Sequence, residues 1–103
     1  MPVFFFTPES SGDETVYSRM LAPGFGVSED PATGGASGPL GCFLLHHGIV
    51  SPEQAKSMVS LQGVAMGRPS RIHTSIDSTD EMITKVRVGG QSMLVGSGQL
   101  ERP

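Results

Sequence analysis

A glycine-rich stretch that runs into a short apolar segment constrains this chain most, because it predicts a helix over residues 35–47. Its apolar residues spread around most of the circumference instead of forming one stripe; they are Ala36, Leu40, Cys42, Phe43, Leu44 and Leu45. We therefore expect a central helix that other elements cover on several sides. Pro39 is expected near its start, where an amide hydrogen has no intrahelical partner, and Gly48 suits a left-handed residue after its end.

Short apolar runs on both sides of this helix predict strands because they are rich in β-branched and aromatic residues or alternate with polar ones. These runs are residues 2–7, 14–22, 58–62, 71–76, 82–88 and 92–96. The order β-β-α-β-β-β-β, with a short helical turn after the helix, predicts one α+β domain over residues 1–103. We expect a bent, mostly antiparallel sheet rolled around the central helix, since an apolar helix needs cover on several sides.

Three local signals predict the connections. Residues 10–13 read as a polar turn between the first two strands, and Gly89-Gly90 predicts a two-residue hairpin between the last two. Ser51, Pro52 and Gln54 form a capping-box pattern, which predicts the short helical turn.

Composition excludes several classes of function. The 103 residues include seven Lys and Arg against ten Asp and Glu, so the net charge of -3 does not favour nucleic acid or anionic lipid. The single Cys42 excludes an intrachain disulfide framework, and no spacing of Cys and His is typical of a zinc site. No segment resembles a signal peptide or a membrane span. We expect a cytoplasmic protein with no metal, nucleic-acid or membrane partner.

Residues 29–36 form the candidate binding site. A helix N-terminus presents unpaired amide hydrogens and a partial positive charge, and glycines allow close approach, so a carboxylate or phosphate is the natural ligand. The expected donors are the amides of Gly34, Gly35 and Ala36. The plain alternative is a turn and helix cap, in which Asp30 or Thr33 bonds these amides with no ligand present. Spacing alone favours that alternative.

Three segments, in the same order, resemble motifs of the phenazine-biosynthesis PhzF-like family. MLAPGFGVSEDPATGGASGPL resembles its R-M-F-A-P and E-D-P-A-T-G-S-A motifs, QGVAMGRPSRI its Q-G-x-x-M-G-R-P-S motif, and VRVGGQSMLVGSGQL its closing hairpin. The resemblance implies a fold similar to diaminopimelate epimerase, in which two pseudo-symmetric lobes each wrap a sheet around a helix and the active site lies between them. This chain resembles the C-terminal lobe.

The resemblance also implies a chemistry. Members with known activity use no cofactor, move a proton and shift a double bond, and their general acid/base glutamate belongs to the N-terminal lobe. The family's helix start, here Thr33, Gly34, Gly35 and Ala36, helps to hold the substrate carboxylate. Its aspartate, here Asp30, contacts polar groups of the substrate and tunes proton transfer. Where the family commonly has a serine, this chain has Gly35, which keeps the amide and lacks the hydroxyl.

Other residues are weaker candidates. His46 and His47 lie at the helix end, where the dipole favours a partly positive imidazole, and Cys42 is expected to pack. The sequence leaves open whether Arg68 pairs with a ligand carboxylate or with groups of its own lobe. Four methionines are expected to fill the core: Met58, Met66, Met82 and Met93.

Two functions remain as hypotheses. In the first, the chain is the C-terminal half of an isomerase that acts on a small carboxylate-bearing metabolite. It is then inactive alone, because acid/base catalysis needs a titratable group within about 3 Å of the moving proton. In the second, it is a non-catalytic ligand-binding or interaction module that self-associates through its apolar cleft face. A third possibility combines the two hypotheses: two copies of the chain form a homodimer whose arrangement is similar to that of the two lobes.

Overall fold

The computed structural model of the chain describes residues 2–8, 12, 14–80 and 82–102. In this part the fold is α+β, with two helices and a curled, mixed, six-stranded sheet. The strands are β1 (Val3–Thr7), β2 (Val16–Ala22), β3 (Val27–Asp30), β4 (Met58–Gln62), β5 (Ser70–Thr79) and β6 (Met82–Gly89). The helices are α1 (Gly34–His46) and α2 (Pro52–Ala55), and a 3-10 turn, Pro23–Phe25, follows β2.

Strand β2 organises the sheet, because three other strands pair with it. Strand β1 runs antiparallel along one edge, with Phe4 opposite Met20 and Phe6 opposite Ser18. Two strands share the other edge, where β4 runs parallel to the first half of β2 and β3 runs antiparallel to the second half. Antiparallel strands β5 and β6 continue the sheet beyond β4. The sheet is therefore mostly antiparallel, as predicted, and contains one parallel pair.

Helix α1 packs against the sheet mainly through small side chains. Its buried residues are Ser37, Gly38, Leu40, Gly41 and Leu44. A methyl group added at Gly41 would lie 2.9 Å from Cγ2 of Thr74 and 3.2 Å from Cδ1 of Ile76. A methyl group at Gly38 would lie 3.3 Å from Cγ1 of Val86. The two glycines therefore allow the helix to approach β5 and β6 closely.

Both edge strands of the sheet reach α1, which shows that the sheet curls around it. Phe6 of β1 makes an edge-to-face contact with Phe43, with 5.6 Å between ring centroids, and Val86 of β6 lies beside Gly38. One face of the helix nevertheless stays exposed, and Phe43 on that face is 44% exposed. Other elements therefore cover α1 on several sides, as predicted, and the face that they leave exposed consists of Gly35, Pro39, Phe43 and His46.

The core lies between α1, α2 and the inner face of the sheet. Its buried members are Val16, Leu40, Leu44, Val50, Ala55, Met58 and Ile76, and the half-buried Cys42 packs against them as predicted. Of the four methionines predicted to fill the core, Met58 does so. The other three are exposed, Met66 by 36%, Met82 by 73% and Met93 by 86%. No helix in the described residues is long and apolar enough to cross a membrane.

Local signals located the helix ends correctly to within one residue. Gly48 follows α1 in the left-handed region, with φ 69°. Around α2 the predicted capping box is present, because the amide of Gln54 donates to Oγ of Ser51 at 3.1 Å and the amide of Ser51 donates to Oε1 of Gln54 at 2.8 Å. Pro39 lies inside α1 beyond its first turn, later than predicted. The carbonyl left without its amide partner there belongs to the exposed Gly35.

Five of the six predicted strands are present, as β1, β2, β4, β5 and β6, and β3 was not predicted. The strand predicted over residues 92–96 and the Gly89-Gly90 hairpin are wrong, because residues 90–102 form neither helix nor strand. The apolar side chains in that segment are 86% to 101% exposed; they are Met93, Leu94, Val95 and Leu100. A turn at Asp80 follows β5, which pairs antiparallel with β6. The turn predicted over residues 10–13 falls largely outside the described residues.

We predict that Gly41→Ala destabilises the fold. The added methyl would overlap Cγ2 of Thr74 at 2.9 Å, and overpacking costs about 1–3 kcal/mol. The gain in helix propensity from glycine to alanine returns at most about 1 kcal/mol. Gly35→Ala is the matched control, since nothing lies within 4 Å of a methyl group there. Urea denaturation should give a lower midpoint for Gly41→Ala than for the control, and equal midpoints would contradict the close packing of α1.

Candidate functional site

The candidate site lies at the edge of β2, at the point where pairing with β4 ends and pairing with β3 begins. Ser18 pairs with Gln62, the last residue of β4, and Met20 pairs with Asp30, the last residue of β3. Strand β4 is parallel to β2 and β3 is antiparallel to it, so their carboxyl ends converge here. Paired residues share a face and residues two apart along a strand do too. The side chains of Gln62 and Asp30 are therefore both on the inner face, where α1 begins.

The two consecutive acids before the glycines point to opposite faces of the sheet. Glu29 lies on the outer face, where Arg19 makes two hydrogen bonds to its carboxylate, from Nη2 to Oε1 at 2.9 Å and from Nε to Oε2 at 3.3 Å. The hydrogen bond and charge of Glu29 raise the pKa of Arg19 above its ordinary value. This pair fastens β3 to β2. Asp30 faces inward, and its Oδ2 accepts a 2.6 Å hydrogen bond from Oγ1 of Thr33.

Gln62 connects the end of β4 to the loop that precedes α1. Its side chain is fully buried, and its Nε2 donates to the backbone oxygen of Asp30 and to Oγ1 of Thr33, both at 2.8 Å. Its Oε1 accepts from the backbone amide of Thr33 at 3.2 Å. The loop is held further by Ser37, whose hydroxyl donates to the carbonyl of Thr33 at 2.7 Å. One buried carboxamide thus fixes both the backbone and the side chains of this loop.

The turn after Gln62 packs against the same loop. Gly63 adopts φ 81°, and a methyl group there would collide with the backbone oxygen of Arg68 and lie 2.9 Å from that of Pro31. The amide of Arg68 closes the turn by donating to the oxygen of Gly63 at 2.9 Å. Arg68 is exposed, so the structure gives its backbone a role in the turn and leaves its side chain at the surface.

The start of α1 is open. Gly34 and Gly35 are exposed and Ala36 is half-buried. Thr33 is the N-cap residue, yet its side chain makes no capping hydrogen bond. Among the described residues, no first-turn amide donates to the carboxylate of Asp30, which accepts its hydrogen bond from Oγ1 of Thr33. The alternative in which Asp30 or Thr33 satisfies these amides is therefore wrong, and the amides remain available as donors.

Apolar side chains of β6 flank this opening on one side. Val88 lies beside Gly34 and Gly38, and Val86 lies beside Gly38. Both side chains are 41% exposed. The candidate site is thus a surface with amide donors and one carboxylate at its centre and an apolar rim. A separate cavity of about 830 Å³ lies near the other end of α1, beside His46 and Asp80.

The structure brings together every residue that was predicted for the site, namely Asp30, Thr33, Gly34, Gly35 and Ala36. Gln62 also belongs to the site, and no role was predicted for it although it is the first residue of the segment QGVAMGRPSRI. One feature of the sequence could have indicated a role for Gln62. It is a polar residue at the end of a strand, on the face where that strand is buried, and a glycine follows it. The arrangement combines donors for an anion with a carboxylate that is held in one orientation.

Comparison with known proteins places these features in a family. A family model described as "Phenazine biosynthesis-like protein" matches residues 2–98. A trans-2,3-dihydro-3-hydroxyanthranilate isomerase from Pseudomonas fluorescens is 41% identical over 83 residues, which cover 81% of this chain and 29% of that protein.

Two further relatives are also named as isomerases. An uncharacterized isomerase of Clostridium acetobutylicum is 35% identical over 95% of this chain and 32% of its own length. The uncharacterized isomerase YddE of Escherichia coli K12 is 32% identical over 82% of this chain and 29% of its own length. The chain thus spans about a third of the length of these relatives. Since the family match extends over nearly all of its residues, the chain belongs to the phenazine biosynthesis-like protein family.

Proposed function

We propose that this chain is the C-terminal lobe of a PhzF-like isomerase and that it holds the carboxylate of a small metabolite at the start of α1. The observation that carries the proposal is the set of uncapped amides at residues 34–36 beside the oriented carboxylate of Asp30. The name of the Pseudomonas relative supports the ligand class, because a hydroxyanthranilate bears a carboxylate. Its carbon skeleton would lie against the apolar rim.

The physical basis for binding is the field of the helix. The first-turn amides carry partial positive charge, and an anion at a helix N-terminus gains about 0.3–1 kcal/mol at the surface and up to about 2 kcal/mol where it is partly buried. Closure by a second lobe would exclude water and strengthen these hydrogen bonds. Affinity in the lobe alone is therefore expected to be weak.

Asp30 is the proposed polar group next to the reacting atoms. Oγ1 of Thr33 donates to its Oδ2, which fixes the carboxylate and leaves its other oxygen for a substrate hydroxyl or amine. A proton shift needs both a donor and an acceptor, and the hydrogen-bonded cluster contains one carboxylate. We propose that the second group, a glutamate by resemblance to the family, comes from another lobe in a diaminopimelate-epimerase-like arrangement and that no cofactor takes part.

A second candidate function rests on the exposed apolar residues. Segment 90–102 exposes Met93, Leu94, Val95 and Leu100 almost completely, and the rim of the site adds further apolar surface. Exposed apolar surface of this kind commonly marks a contact with another protein. In this alternative the chain is a non-catalytic module that binds a second copy of itself or another lobe.

We predict that Asp30→Asn slows proton exchange in the two-lobe protein. With trans-2,3-dihydro-3-hydroxyanthranilate in D₂O, deuterium incorporation next to the carboxylate should fall at least about 100-fold, because a positioned acid or base contributes 10²–10⁴-fold. Asp77→Asn is the matched control, since Asp77 lies on β5 and pairs with Arg87 at 3.0 Å. The chain alone should show no exchange. Undiminished exchange in Asp30→Asn would remove this residue from the mechanism.

We also predict that the isolated chain self-associates through segment 90–102. Sedimentation velocity over a range of concentrations should show a growing oligomer fraction, and replacing Met93, Leu94 and Val95 by serine should abolish it. The reason is that burying such side chains contributes about 25 cal/mol per Å². A wild-type chain that stays monomeric at every concentration would count against the association hypothesis.

A further inference from the structure

Thr33 occupies the N-cap position of α1 but does not act as a cap. A threonine at this position ordinarily accepts a hydrogen bond from the second or third helical amide, here that of Gly35 or Ala36. In this structure it makes no such bond. Its Oγ1 instead accepts from Nε2 of Gln62 at 2.8 Å and donates to Oδ2 of Asp30 at 2.6 Å.

The direction of these bonds follows from the donors and acceptors present. The carboxamide nitrogen of Gln62 can only donate, so it takes up acceptor capacity of the Thr33 hydroxyl and leaves the single hydroxyl proton for Asp30. The opposite orientation of the carboxamide would set Oε1 against the carbonyl oxygen of Asp30 and Nε2 against the amide of Thr33. It would pair acceptor with acceptor and donor with donor, so the observed orientation is the one the surroundings enforce.

We propose that Gln62 is a positioning residue that holds the hydroxyl of Thr33 on Asp30 and thereby keeps the first-turn amides of α1 uncapped. The inference deepens the proposed function and rests on it for its purpose, because uncapped amides are what a substrate carboxylate would need. Gln62 is fully buried and acts through Thr33, so it does not itself touch the ligand.

A purely structural role for Gln62 makes a different prediction. If Gln62 only satisfied the buried backbone of the loop, its loss would weaken the site whatever stands at position 33. If it restrains the Thr33 hydroxyl, its loss frees that hydroxyl to cap the helix, and the damage should vanish when the hydroxyl is removed as well. A double substitution therefore separates the two roles.

The test uses the full chain with Gln62→Met, Thr33→Val and the double variant. Two quantities are measured by NMR: hydrogen exchange of the Gly35 and Ala36 amides without ligand, and the affinity for sodium benzoate as a small carboxylate probe. In Gln62→Met the exchange should slow, and benzoate affinity should fall, by about five-fold, the usual strength of a threonine cap. In the double variant both should return to the values of Thr33→Val.

Two results would overturn the proposal: a double variant that stays as impaired as Gln62→Met, or a Gln62→Met chain that behaves like wild type. If Gln62→Met does not fold, Thr33→Val decides alone. It should leave exchange at Gly35 and Ala36 unchanged, because the native hydroxyl is not a cap, and faster exchange would overturn the proposal. If wild type binds no benzoate while the exchange pattern holds, the carboxylate site fails and the role of Gln62 stands.

Discussion

The buried carboxamide of Gln62 is the interaction on which the candidate site depends. It lies where the carboxyl ends of β3 and β4 converge on one edge of β2. The turn of the chain between β3 and α1 leaves backbone groups there that no strand can pair, and an unpaired buried polar group costs about 1–3 kcal/mol. The side chain of Gln62 donates a hydrogen bond to the carbonyl of Asp30 and accepts one from the amide of Thr33. The same hydrogen bonds thus satisfy buried backbone groups and orient the side chains of the site.

The start of α1 needs this support because its sequence forms a helix poorly. Each interior glycine costs about 1 kcal/mol and a proline about 3 kcal/mol relative to alanine, and the first half of the helix holds Gly34, Gly35, Gly38 and Pro39. The glycines have separate uses: Gly38 and Gly41 let the helix approach the sheet, while nothing lies within 4 Å of a methyl group at Gly35. Tertiary contacts therefore set where the helix begins, and its exposed glycines keep its amides accessible.

Features that depend on residues close together in the sequence were mostly predicted correctly, whereas features that depend on pairing between distant segments were not. The capping box at Ser51 and the left-handed Gly48 depend on neighbours within a few residues, so the sequence revealed them. Strand β3 is short and polar, and its existence depends on an edge of β2 that β4 leaves free. The strand predicted over residues 92–96 failed for the converse reason, since its residues find no sheet neighbour in the described part of the chain.

The same distinction holds for the site. Asp30 and the glycines are close in sequence, so their proximity at a helix start was predictable from spacing and from the family resemblance. Gln62 is 29 residues from Thr33, and no local pattern indicates that the two meet. The close approach of α1 to the sheet was likewise not predicted, because a hydropathy pattern does not indicate a helix that packs through Ser37, Gly38 and Gly41.

A crystal structure of the proposed two-lobe protein with a small carboxylate bound would show directly whether the first-turn amides of α1 hold an anion. We expect a carboxylate oxygen within about 3 Å of the amide nitrogens of Gly35 and Ala36, with the Thr33 hydroxyl still donating to Asp30. A structure in which Oγ1 of Thr33 bonds those nitrogens, or in which the carboxylate binds away from the start of α1, would contradict it.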